Sequence, residues 1–235
     1  HDVDGALREL VAWPERCLST LPDTFSDSDG VMLEPLGVAL HACDLAHIWP
    51  GSSVGVFGCG PIGWLTIQVA LLLGAARVFA TELPRRPHRS AAAAALGATV
   101  LPADGSEASA IRRATGGRGL DVVIEAAGDN EAVDAAVEAV RPGARVVLTG
   151  IPPSERTSIV ASSARRKGLT VAWARRMKHT YPRAIDLVSR SLIDVRSGVT
   201  HTFPLDRAAE AFEAASRREG MKIIVSPGDT LPAGA

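Results

Sequence analysis

Apolar and polar positions run along this chain in blocks whose period changes from two-sided burial to one-sided. Residues 54–57 form a short continuous apolar run, the pattern of a strand buried on both faces. Residues 62–73 follow, with Ile62, Leu65, Val69, Leu72 and Leu73 near one face, which predicts a helix stopped by Gly74. The pair of blocks then recurs. Strands are predicted at 77–80, 99–101, 122–125, 145–148 and 169–173, and helices at 91–96, 108–115 and 131–140 between them. Gly97 and the Gly116–Gly117 pair supply further stops. Ahead of this alternation stand a predicted strand at 7–12, a turn at Leu21, Pro22 and Asp23, and a helix. That helix takes Pro35 into its first turn, reaches about Ile48 and stops at Pro50 and Gly51. Behind it come a helix at 182–191, a strand at 199–203, a helix N-capped by Asp206 and running through Ala215, and a strand at 221–225.

Strands alternating with helices through short connections specify an α/β fold. Its sheet is parallel, doubly wound and covered on both faces, with six strands and a ligand crevice at their carboxyl ends. Composition agrees with such a core. Hydrophobic residues make up 46% of the 235 and aromatics only 4%, so the interior rests on aliphatic side chains. The formal net charge of -1 argues against a polyanionic partner, and nucleic acid is not expected. Cys17, Cys43 and Cys59 are scattered, odd in number and without metal-ligand spacing, which fits a reducing cytoplasm. The longest apolar run, around 64–76, is interrupted by Gln68 and Gly74 and falls short of the roughly 20 residues that span a bilayer. No membrane association is expected. The chain opens on His1 with strand-like residues close behind and no signal peptide, from which an N-terminal portion is expected to precede it.

The chemistry begins at Gly58, Gly60 and Gly63, a Gly-x-Gly-x-x-Gly run directly after a predicted strand and opening a helix. Gly58 permits the tight turn, Gly60 lets a pyrophosphate approach, and Gly63 lets helix and strand pack closely. Pro61 and Ile62 complete the loop, whose helix start offers N–H groups and partial positive charge to phosphates. Glu82 ends the second strand, about 20 residues on, where a carboxylate hydrogen-bonds the adenosine ribose. A carboxylate there repels a 2′-phosphate, so NAD is favoured over NADP, with Arg85 and Arg86 able to soften the preference. Gly128 after the fourth strand, and Thr149, Gly150 and Ile151 after the fifth, are expected to face the same cofactor.

These stretches, together with residues 33–42, 121–128, 143–150, 180–185 and 199–205, resemble the medium-chain dehydrogenase/reductase family, and within it the zinc-dependent polyol dehydrogenases. The resemblance runs from about Val11 to Val225. It implies a GroES-like catalytic domain whose last part and C-terminal return are formed by the two chain ends. The domains would then be 1–49, 50–180 for the Rossmann domain, and 181–235 for the return. The family's Cys and His-Glu zinc ligands are not matched in this chain. By the same resemblance Glu34 is a zinc contact, Arg176 bonds polyol substrate, and Arg175, where animal members carry an aromatic residue, lies at the cofactor. The activity implied is oxidation of a secondary alcohol of a polyol to a ketone with NAD, zinc acting in the intact enzyme. Subunits would pair at residues 169–173 into a homodimer or homotetramer. Two other readings compete: a non-catalytic NAD-binding protein, and a threonine or butanediol dehydrogenase of the same family.

Overall fold

The computed structural model describes residues 5–154 and 156–227. Eight strands and eight α-helices follow one another in the chain. In order they are α1 (Asp27–Ala46), β1 (Ser53–Phe57), α2 (Pro61–Leu72), β2 (Arg77–Glu82), α3 (Pro87–Ala95), β3 (Thr99–Pro102), α4 (Glu107–Ala114), β4 (Leu120–Glu125), α5 (Asn130–Ala139), β5 (Val140–Leu148), α6 (Ala161–Lys167), β6 (Thr170–Trp173), α7 (Tyr181–Ser189), β7 (Val199–Pro204), α8 (Ala208–Arg217) and β8 (Lys222–Ser226). The chain divides into a larger unit, Leu33–Asp194, and a smaller one made of the chain ends up to Met32 and from Val195.

The larger unit holds the expected sheet: six parallel strands in the order β3-β2-β1-β4-β5-β6. β1 and β4 lie at its centre and every residue of both is buried, which is why residues 54–57 and 122–124 read as apolar runs. The order reverses between β1 and β4, so the crevice opens above their carboxyl ends. Phe57, Phe79, Ile111, Leu120, Val123, Val133 and Val146 pack into one core cluster. β5 begins earlier than residue 145, directly after α5. Its pairing with β4 shifts register between Leu120 and Val122, and this irregularity accommodates Pro142 and Gly143.

At the opposite end of the sheet, Asp121 is a buried pin. Its Oδ2 accepts from the Ser53 N–H and Oγ, each at 2.9 Å. Its Oδ1 accepts from Arg118 at 2.5 Å and from Arg141 Nε at 2.8 Å. The first residues of β1 and β4 are thereby fixed side by side.

In the smaller unit β7 and β8 form a two-stranded parallel sheet, with α8 connecting them. Asp29 is buried there and receives the Arg196 guanidinium through two bonds, at 2.9 and 3.0 Å. That pairing holds its carboxyl below the usual range.

Three expectations need correction. Residues 7–12 form no strand: they are exposed, and no strand pairs with them among the described residues. A strand signal without a partner leaves its backbone groups to water. α1 starts at Asp27, so Pro35 lies inside the helix and not in its first turn. The start is set by a reciprocal cap, in which the Ser26 N–H donates to Asp29 Oδ2 and the Asp29 N–H donates to Ser26 Oγ. Asp206 does not cap α8. It sits within a 3-10 turn, Leu205–Arg207, and the helix begins after Arg207 with no side-chain cap bond.

Candidate dinucleotide site

β1 delivers the glycine loop to the crevice, and the three glycines are required for different reasons. Gly58 has φ +98, and a Cβ there would lie 2.8 Å from the Ala127 backbone N, so the turn packs backbone to backbone against the exit of β4. A Cβ on Gly63 would overlap the Gly58 carbonyl oxygen. Gly60 differs. A Cβ there would meet no atom of the chain nearer than Arg89 Nη1, at 3.6 Å. Internal packing therefore does not demand glycine at this position, whereas an approaching ligand does.

Gly60 is the N-cap of α2 in an extended conformation, with Pro61 in the first turn and no side-chain cap bond. The Trp64 N–H is satisfied by the Gly60 carbonyl. The Ile62 and Gly63 N–H groups, directly before it in the same first turn, have no hydrogen-bond acceptor among the described residues. Such unsatisfied donors, with the positive end of a 12-residue helix behind them, fit a phosphate oxygen.

Glu82 closes β2 beside this loop and is 4% exposed. Its Oε2 accepts from the Cys59 N–H at 3.1 Å and its Oε1 from the Leu83 N–H at 2.8 Å, with Arg86 Nη1 3.7 Å away. The carboxylate thus braces the second residue of the loop. Cys59 is buried next to it. Burial first, and then the Glu82 charge, push its thiol up to about 12, so it stays protonated and unreactive at neutral pH.

The other side of the crevice is built by β4 and β5. The Gly128 and Gly150 backbones touch: a Cβ on Gly150 would collide with the Gly128 N, and one on Gly128 would lie 2.6 Å from the Ile151 carbonyl. Thr149 is buried, and its hydroxyl has no partner among the described residues. Ile151 is 91% exposed at the mouth. A dinucleotide fits this surface, with donors for phosphate at the centre, a carboxylate on the β2 side, and an unspent hydroxyl on the β5 side.

Glu34, Arg175 and Arg176 belong to a second region of the larger unit. Glu34 is exposed on α1. One turn on, Gly37 is pressed against Thr180 Oγ1 and Met177 Cβ, which a Cβ would meet at 2.6 and 2.7 Å. α1 therefore abuts the segment that follows β6. Burial, and then the charge of Glu34, raise the Tyr181 phenol pKa. Arg175 and Arg176 are exposed, with Arg176 in the left-handed region at φ +50, and neither forms an ion pair among the described residues. No group of three or more His, Cys, Asp or Glu side chains able to hold a metal is found among the described residues. Glu34 alone does not make a zinc centre.

Two buried groups of the site escaped the sequence reading. Arg89 reaches the glycine loop, its Nη1 lying 3.6 Å from where a Cβ of Gly60 would be. A buried arginine in the first turn of a helix opposes the helix dipole, and that oddity was its one local signal. Glu125 lies beneath the Gly128 and Gly150 turns and had no local signal beyond being a carboxylate at a strand end.

The comparisons with known proteins agree with this geometry. The family described as zinc-binding dehydrogenase matches residues 61–190, more than half of the chain. Over 218 residues the chain is 34% identical to sorbitol dehydrogenase of Gallus gallus, covering 90% of this chain and 61% of that protein. Alcohol dehydrogenase TADH from Thermus sp. ATN1 superposes with a TM-score of 0.81 at 29% identity, over 87% of this chain and 60% of that one. The 2R,3R-butanediol dehydrogenase from Bacillus subtilis does so with a TM-score of 0.79 at 29% identity, over 88% and 60%. The chain thus spans about 60% of the length of these proteins. It belongs to the zinc-binding dehydrogenases of the medium-chain dehydrogenase/reductase family and is similar to the polyol dehydrogenases within it.

Proposed function

We propose that this chain is the cofactor-binding part of an NAD-dependent dehydrogenase that oxidises a secondary alcohol of a polyol to a ketone. The observation that carries the reading is Gly60, whose missing Cβ leaves space that no part of the chain fills, directly before the free N–H groups of α2. In this reading Ile62 and Gly63 donate to the pyrophosphate, with Gly58 and Pro61 shaping the turn. Glu82 takes the adenosine ribose hydroxyls and Arg89 flanks the adenosine phosphate. Thr149, Gly150, Ile151 and Gly128 orient the nicotinamide half, with Arg175 at its border. A bound nicotinamide would supply the hydride acceptor for the carbinol carbon, and the hydroxyl proton would pass to solvent. The protein's part is to hold the two carbons in contact and to exclude water. In the same reading Arg176 donates to a substrate hydroxyl.

Zinc stands apart. The described residues offer Glu34 and no converging partners, so stabilisation of an alkoxide is not assigned to them. The cysteine usage and the absence of a helix able to cross a membrane among the described residues fit work in the cytoplasm on a small substrate.

The test has two arms. The 235-residue chain and its Gly60→Ala variant are titrated with NADH, following nicotinamide fluorescence. Alanine at 60 meets only Arg89 Nη1, at the ordinary contact distance of 3.6 Å, so the variant should melt with the parent yet bind NADH about tenfold more weakly or worse. Equal affinity in both would sink the assignment. The natural full-length protein is then assayed for NAD reduction with polyols, diols and threonine. Turnover fastest on butanediol or threonine would move the substrate, and binding without turnover on any of them would leave a non-catalytic cofactor-binding protein.

A further inference from the structure

Glu125 is the last residue of β4, 1% exposed, in the middle of an otherwise aliphatic sheet. A buried carboxylate is costly unless its oxygens are used. Here the Glu125 side chain and backbone are used by the exits of β4 and β5, and its neighbour Ala126 ties in the exit of β1. Its Oε1 accepts from the Ala127 and Gly128 N–H groups, both at 2.7 Å. Its main-chain carbonyl accepts from the Thr149 and Gly150 N–H groups, at 2.8 and 3.1 Å. Its Oε2 lies 2.7 Å from where a Cβ of Gly150 would be. The next residue, Ala126, donates its N–H to the Phe57 carbonyl at 2.7 Å, just before the glycine loop. The turns after β4 and β5 are therefore tied together at Glu125, and the turn after β1 is joined to them through the Ala126 backbone.

We infer that Glu125 is a positioning residue for the nicotinamide half of the cofactor: its carboxylate fixes the height of the Gly128 turn against the Thr149–Ile151 exit, and so the floor on which that half rests. This rests on the assignment of the crevice to a dinucleotide. The division of labour follows from the topology. Glu82 and Arg89 are on the β2 side, which takes the adenosine end, and the β4 and β5 exits remain for the nicotinamide end. Glu125 does not reach the β2 side through any of its bonds. Its effect should accordingly be confined to one half of the ligand, which a residue that merely supports the fold would not produce. Burial pushes the carboxyl upward, while the N–H groups of Gly128 and Ala127 oppose that shift and favour the charged acceptor.

The experiment compares the 235-residue chain with Glu125→Gln, which keeps the shape but replaces one acceptor oxygen with a donor. Each is titrated with NADH by fluorescence and with AMP by calorimetry, and each is melted. NADH affinity should fall about tenfold, as expected for one buried charge-assisted bond, while AMP affinity stays within about twofold. Gly150→Ala drives a methyl into the same joint from the other side and should give the same selective loss. It decides the matter if Glu125→Gln does not fold. Unchanged NADH affinity in a folded variant overturns the inference and leaves the cofactor assignment standing. Equal losses for NADH and AMP overturn it as well, because the role would then be general support. A parent chain that binds neither NADH nor AMP removes the cofactor assignment, and this inference with it.

Discussion

The Glu82 carboxylate accepts from the Cys59 and Leu83 N–H groups, and in the proposed function it also takes the adenosine ribose, so its removal is expected to act on the loop and on the ligand together. Glu82→Ala should weaken NADH binding about tenfold or more and bring the NADH and NADPH affinities closer, since both the ribose acceptor and the charge opposing a 2′-phosphate disappear. Parallel fluorescence titrations with the two reduced cofactors measure this, and an unchanged affinity ratio would refute the discriminating role. Glu82 was readable because it lies a fixed distance along the chain from the loop and ends a strand of clear apolar pattern. Arg89 was not. Its approach to Gly60 depends on the α3 packing angle, which no spacing encodes.

Among the elements, the sheet is held at its two ends by different means. Backbone contacts among glycines close the carboxyl end, whereas Asp121 and its arginines close the amino end. Burial pushes the Asp121 carboxyl up, but bonds from Arg118, Ser53 and Arg141 outweigh it and hold the group well below the usual carboxylate range. A carboxylate whose folded value is depressed adds stability that is present above the unfolded value, near 4, and lost as pH falls through the folded value. Asp121→Ala should therefore cost about 2–3 kcal/mol at pH 7, discounted for the exposed Arg118, and lower the melting temperature by about 5–10 °C. Thermal melts from pH 7 down to pH 2 should show the gap between parent and variant narrowing as acid is added. A gap independent of pH would exclude the charged pin. Two smaller ties act alike. Lys167 Nζ donates to the Val137 and Glu138 carbonyls at 2.7 and 2.8 Å, closing the C-terminus of α5. The Gln68 amide clasps the Asp194 backbone, donating to its carbonyl and accepting from its N–H.

At the scale of the whole molecule the sheet ends on β6, a short edge strand whose Trp173 is 62% exposed. An edge strand presents unpaired backbone groups, and a large exposed aromatic beside it favours pairing with another copy. The chain is expected to sediment as a dimer or tetramer at micromolar concentration, and Trp173→Glu should shift it toward monomer. A parent that already sediments as a monomer would contradict the expectation. The smaller unit shows the limit of pattern reading at this scale. Residues 7–12 carry a strand-like pattern, but a strand exists only where a neighbour completes its ladder, and none does so among the described residues.

By itself the sequence determined what depends on neighbours along the chain: the alternation of strands and helices, the doubly wound order that right-handed crossovers impose, the glycine loop and the acidic residue after it. These are local or periodic features, set by side-chain period, φ preference and short connections. The tertiary structure alone decided which residues meet across the sheet. It brought Arg89 to Gly60, tied the turns after β4 and β5 together at Glu125, started α1 at the Ser26–Asp29 cap with Pro35 inside the helix, and left Glu34 without converging metal ligands among the described residues. Such meetings depend on packing distances between strands far apart in the chain, where a shift of one residue in register or a few degrees in helix angle changes the partner.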